Sequence, residues 1–136
     1  MSRSNYSDQA DDHWRGVMYR GAVVSAIKGA RGQALLKDLI TALDALPERK
    51  LITDALEADG CFCALGAVAN LRGVDFSKLN QHYSARHVSK PLNIANALAA
   101  EVMHMNDEAG VYDETPEYRW IRMRHWAQER ITQETK

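Results

Sequence analysis

The stretch Gln33-Ala34-Leu35-Leu36-Lys37-Asp38-Leu39-Ile40-Thr41-Ala42-Leu43-Asp44-Ala45-Leu46 decides the fold class. Leu35, Leu36, Leu39, Ile40, Leu43 and Leu46 recur at steps of three and four, so a helix gathers them on one broad apolar stripe. Lys37, Asp38 and Asp44 stand outside that stripe. A strand would scatter the same leucines over both faces. A stripe this wide has to be buried against other elements, and the flanking sequence repeats its period.

Upstream, residues 8–28 read as a helix with Trp14, Val17, Met18, Gly21, Val24 and Ser25 on its inner face, punctuated by Gly29-Ala30-Arg31-Gly32. Downstream, Pro47 suits the first turn of a helix, and Leu51, Ile52, Ala55 and Leu56 extend it to Ala58, where Asp59-Gly60 ends it. Cys63 to Arg72 follows as a short helix with Leu65, Val68, Ala69 and Leu71 inward and Gly73 as its cap. Its small residues Ala64, Gly66 and Ala67 permit close approach of a neighbouring helix.

Residues 74–91 carry no sustained period and read as an irregular loop, with single turns from Asp75 to Leu79 and from Ser84 to Lys90. Ile94, Leu98, Val102 and Met105 form the stripe of a helix from Asn93 to Asn106. The last helix opens with Thr115-Pro116-Glu117, a hydroxyl cap followed by proline and an acid at the positive end of the dipole. It runs to Ile131 with Trp120, Met123, Ala127 and Ile131 buried. No segment alternates long enough to demand a strand, so the fold class is all-α, a compact single-domain bundle of about five main helices spanning 1–136, with 1–7 as a tail.

The chain has 136 residues, 46% hydrophobic and 26% charged, which suits one globular domain able to bury its own core. The net charge of −1 lacks the positive field of proteins that hold nucleic acid mainly through phosphates. Apolar runs are too short to cross a membrane, and the N-terminus leads into Asp8, Asp11 and Asp12 instead of an apolar signal core. The expected location is therefore a cytoplasm, with Cys61 and Cys63 reduced.

The two thiols invite a reactive or metal-binding reading, because a helix N-terminus lowers a thiol pKa. Their one-residue spacing misses the two to four residues of a zinc pair, and buried cysteine is an ordinary small apolar residue. No metal and no cofactor is expected. Glu101, Asp107, Glu108, Asp113, Glu114 and Glu117 gather without the ligand register of a calcium loop and read as an acidic turn. His82, Tyr83, Arg86 and His87 form a polar, aromatic cluster where a loop can meet a partner, and Arg119 and Arg122 put positive charge on the final helix. These six are the candidate partner-binding residues. His104 beside Met103 and Met105 reads as packing.

Arg31-Gly32-Gln33-Ala34-Leu35-Leu36, Ala42-Leu43-Asp44-Ala45-Leu46-Pro47, Cys63-Ala64-Leu65-Gly66-Ala67 and Thr115-Pro116-Glu117-Tyr118-Arg119-Trp120 together resemble a family of small uncharacterised phage and prophage proteins. The resemblance spans nearly the whole chain and implies a phage setting, with no reaction or cofactor attached. Cys61 departs from the single thiol expected there.

On that footing the expected function is non-enzymatic: a phage-encoded protein that binds and modulates a host protein, including a host-defence inhibitor of the anti-CRISPR kind. The alternative is a small helix-turn-helix DNA-binding regulator using residues 84–105. Its would-be recognition helix carries no Arg or Lys through Met105, which favours a plain helical hairpin. A thiol enzyme using Cys63 comes third. Trp14, Trp120 and Trp126 fit either the core or the interface of a homo-oligomer.

Overall fold

The computed structural model describes residues 13–75 and 84–132. Among them lie six helices, α1 (His13–Lys28), α2 (Ala30–Ala45), α3 (Ala64–Leu71), α4 (Ala85–Ser89), α5 (Asn96–Asp107) and α6 (Pro116–Arg130). A two-stranded antiparallel ribbon, β1 (Glu57–Ala58) and β2 (Cys61–Phe62), pairs Glu57 with Phe62 and Ala58 with Cys61. The protein is an all-α bundle with one small hairpin. The tail at 1–7, the turn after Asp75, and His82 and Tyr83 lie outside the described residues.

Helix α2 carries the stripe that its leucine spacing demands. Leu35, Leu36, Leu39 and Leu43 are wholly buried, and Ile40 and Leu46 pack against the same core. It touches α1, α3 and α6, while α5 packs against α1, α3 and α4 and more lightly against α6. Helices α1 and α3 each touch both α2 and α5, so the core lies where these four helices meet.

The connection between α1 and α2 is Gly29 alone, not the four residues that the two glycines suggest. The Gly29 N–H closes α1 on the Ser25 carbonyl, and the Gly29 carbonyl accepts from Gln33 N–H to open α2. Gly32 then sits inside the first turn of α2, where a Cβ would collide with the Ala26 carbonyl. Gln33 ties three segments together, donating from Nε2 to the carbonyls of Ile27 at 2.7 Å and Arg130 at 3.1 Å, and accepting at Oε1 from Thr132 N–H.

Helix α1 buries the face opposite to the expected one. Tyr19 and Val23 enter the core with Ala26 and Ile27 beside them, whereas Val17, Met18 and Val24 are 45%, 59% and 50% exposed. The Trp14 side chain is not among those described. This helix is apolar on both sides, so its period fits two stripes, and the neighbours choose between them. The choice is marked by the Tyr19 hydroxyl, which donates to the Ala97 carbonyl at the start of α5, 3.2 Å away.

The helix expected over Pro47–Ala58 does not form. Its peptide groups are bonded to distant elements instead: Leu51 N–H to the Pro116 carbonyl at 3.0 Å, and Ile52 N–H to the Phe62 carbonyl at 3.0 Å. The Leu56 carbonyl accepts from Cys63 N–H. Asp59 and Gly60, at φ +52° and +80°, make the tight turn between β1 and β2, the Asp-Gly signature of a two-residue hairpin. Leu51 and Leu56 still reach the core from this irregular backbone. Helical spacing of a few apolar residues is weak where tertiary partners satisfy the peptide groups better.

The remaining boundaries match the local chemistry. Cys63 is the N-cap of α3, its Sγ accepting from Gly66 N–H at 3.4 Å, and Gly73 follows the helix at φ +71°. Thr115 caps α6 by accepting from Tyr118 N–H at 3.1 Å, with Pro116 in the first turn. Trp120, Met123, Trp126 and Ala127 are buried, and Trp120 Nε1 donates to the Leu43 carbonyl at 3.0 Å. Two of the three tryptophans therefore belong to the core.

Candidate functional site

The segment between α5 and α6 is built around one carboxylate. Glu114, with its side chain 3% exposed, accepts from Arg122 through Nε at 2.6 Å and Nη2 at 2.9 Å, a two-pronged charge-assisted pair. Arg119 Nε lies 3.2 Å from Oε1 of the same carboxylate, the oxygen that also accepts from Arg122 Nη2. The Arg122 hydrogen bond, followed by the charges of Arg122 and Arg119, holds the Glu114 carboxyl below its ordinary range against the opposing effect of burial. Gly110 packs on this carboxylate so closely that a Cβ would strike it.

Both arginines also reach backbone. Arg122 Nη1 donates to the Met105 carbonyl at 2.6 Å, where α5 leaves carbonyls without helical partners. Arg119 Nη1 donates to the Leu51 carbonyl at 2.8 Å. Next to them Asn106, 1% exposed, donates from Nδ2 to the Ile52 carbonyl at 2.9 Å and accepts at Oδ1 from Ala64 N–H at 3.1 Å. The irregular segment 51–56, the start of α3, the end of α5 and the first two turns of α6 thus meet at one polar hub.

That hub fixes what stands outside it. The turn closed by Glu114 N–H on the Val111 carbonyl sets Val111 at 67% exposure and Tyr112 fully in solvent. On α6, Tyr118 and Ile121 are 55% and 57% exposed and lie on one helical face with His125. A polar turn does not need valine and tyrosine at its tip. Tyrosine combines a large rigid apolar ring with a polar end, a side chain enriched where proteins recognise one another.

The six sequence-derived candidates divide accordingly. Arg119 and Arg122 come together, but as internal clamps on Glu114 with side chains only 13% and 18% exposed. His87 is exposed, and its Nδ1 accepts from Ser84 N–H at 2.9 Å, completing the N-terminal cap of α4. Arg86 is exposed on the same helix, which packs on α5 and lies apart from the α6 pair. His82 and Tyr83 are outside the described residues. The only sequence signal of Val111 and Tyr112 is apolar character in an acidic, turn-forming stretch, and Tyr118 and Ile121 carry none beyond their place on α6.

The other two chemistries find little purchase. No residue of α5 from Ala97 to Asp107 is exposed, so the helix that would read a DNA groove is packed on its sides by the bundle. Cys63 is fully buried and occupied in capping. Cys61 is half-buried on the wall of an open cleft of ≈ 230 Å³ between the Leu46–Lys50 turn and the hairpin. Lys50 in that cleft pairs with Glu48 at 2.6 Å, which raises the lysine pKa through their hydrogen bond. Among the described residues no group of three or more His, Cys, Asp or Glu is placed to hold a metal ion, and no helix is long and apolar enough to cross a membrane.

Compared with models of protein families, with curated proteins and with solved structures, the chain matches none of them.

Proposed function

We propose that this chain is a non-enzymatic binding protein that acts by occupying a surface of a host protein, in the phage setting which its sequence resembles. The contact is made by Val111 and Tyr112 on the turn and by Tyr118 and Ile121 on α6. One observation carries the reading: a fully exposed tyrosine stands on a turn pinned from beneath by the Glu114–Arg122 pair. On a pinned turn only the two side-chain torsions of the tyrosine remain to be ordered on docking, so more of its buried area appears as affinity. The arginines serve binding through the turn that they hold. A host-defence component is the class of target that this reading favours.

The test is quantitative affinity capture from host lysate with the wild-type chain and with Tyr112→Ala/Tyr118→Ala, followed by titration of the captured protein in purified form. A partner retained by the wild type and weakened at least tenfold by the double substitution supports the reading. Equal retention of every partner by both proteins refutes it.

A further inference from the structure

The exposed face of α1 is a second surface, separate from the turn and α6. At 100° per residue, Val24, Val17, Lys28, Gly21 and Met18 fall within one half of the helix, opposite Tyr19 and Val23 in the core. Single exposed apolar residues are ordinary on any protein surface. Here three large ones at 45%, 59% and 50% exposure share one face over about two turns. Gly21 lies at the centre with nothing within 4 Å of a Cβ placed on it, so the face has a notch between Val17 and Val24.

The described charged side chains of α1 have one sign. Arg20 borders Val24, Lys28 continues the line of Val17 and Val24, and neither makes an ion pair or hydrogen bond among the described residues. From Gly16 to Lys37 there is no Asp or Glu. Lys28 in the last turn is accounted for in part by the helix dipole, but Arg20 in mid-helix is not.

We propose that this face docks an amphipathic helix of a partner protein, whose apolar stripe lies over Val17, Met18 and Val24 and whose flanking carboxylates meet Arg20 and Lys28. The notch at Gly21 lets the partner backbone come close, as small residues do wherever helices cross tightly. A second copy of this chain would bring the same cations together with no acid among residues 13–28 of either copy to neutralise them. An anionic membrane surface would satisfy the cations but makes no use of a notch, and among the described side chains of the face there is no Trp, Phe or Leu of the kind that anchors interfacial helices.

The probe is a fluorescein-labelled helical peptide of about 18 residues with a leucine stripe, a central alanine and flanking glutamates, beside a twin in which lysines replace the glutamates. Binding is read by fluorescence anisotropy at low salt and at roughly tenfold higher salt. The acidic peptide is expected to bind the wild type saturably and at least tenfold more tightly than its basic twin, with weakening by salt. Gly21→Leu, which fills the notch without touching the core, and Arg20→Glu/Lys28→Glu are each expected to weaken it at least tenfold. Tyr112→Ala/Tyr118→Ala is expected to leave it unchanged, which separates this proposal from the α6 surface. No binding, equal binding of the two peptides, or indifference to Gly21→Leu overturns the proposal. So does a concentration-dependent dimer that Gly21→Leu abolishes, or binding to phosphatidylserine vesicles in place of the peptide.

Discussion

Replacing Glu114 by Gln keeps the volume of the side chain and removes its charge, so it asks directly what the polar hub contributes. The carboxylate receives two bonds from Arg122, at 2.6 and 2.9 Å, and an ion-pair contact from Arg119 at 3.2 Å. A glutamine can accept one of these and must turn its own donor toward an arginine. Each charge-assisted bond is worth about 1.5–3 kcal/mol. Breaking a fully buried pair removes about 3–5 kcal/mol, but here both arginines are partly solvated and keep the carbonyls of Met105 and Leu51. The expected loss is therefore about 2 kcal/mol, read as a shift in the urea midpoint at unchanged slope.

The pH dependence of that loss is the sharper signature. Folding lowers the Glu114 pKa from its ordinary value of 4.5, so its contribution is complete above that value and fades as pH falls through the lower folded one. The gap between wild type and Glu114→Gln should start to close as pH falls below 4.5 and go on closing as the folded carboxylate takes up its proton. Asp44, held low by its hydrogen bond with Arg124 at 2.8 Å, titrates in both proteins and cancels in the difference. A gap below about 0.5 kcal/mol at neutral pH, or one that persists unchanged in acid, would refute the account of the hub.

Two glycines should respond oppositely to alanine. A Cβ at Gly66 meets the Leu56 carbonyl, a backbone atom that cannot swing aside, so Gly66→Ala should lose about 2–3 kcal/mol or fail to fold. Gly21→Ala has open space and gains about 0.5–1 kcal/mol from helix propensity, with both read from thermal melts. The two thiols should separate in a timed alkylation followed by peptide mass mapping: Cys61 reacts in the folded protein, and Cys63 only as fast as the chain unfolds. Equal rates at both sites would mean that the cap on α3 opens readily.

Where a helix was both long and one-sided, the residues announced it. The leucines of α2, the Thr115-Pro116 start of α6 and the glycine after α3 each reflect a local rule, period or cap, that needs no distant partner. The segment 47–58 obeyed the same period over too few residues, and the bonds from Leu51 to Pro116 and from Ile52 to Phe62 outweighed it. Asp59-Gly60 was the legible clue, since a pair with positive φ at both positions closes a hairpin at least as readily as it stops a helix.

Gly66 shows the same division at one residue. Its small size was visible in the chain, but the close neighbour that it admits is the Leu56 backbone and not a helix. The roles of Arg119 and Arg122 were hidden for a like reason: a charge on a helix faces a partner or a buried carboxylate according to where the preceding turn is folded, and only the packed chain brings Glu114 beneath both. By itself the sequence determined that this is a helical bundle in which α2 carries a broad apolar stripe, because amphipathic periods and caps are local. Tertiary structure alone decided which face of α1 is buried, where segment 51–56 runs and which apolar side chains remain outside. Those outcomes depend on competition among distant neighbours for the same hydrogen bonds and the same apolar surface.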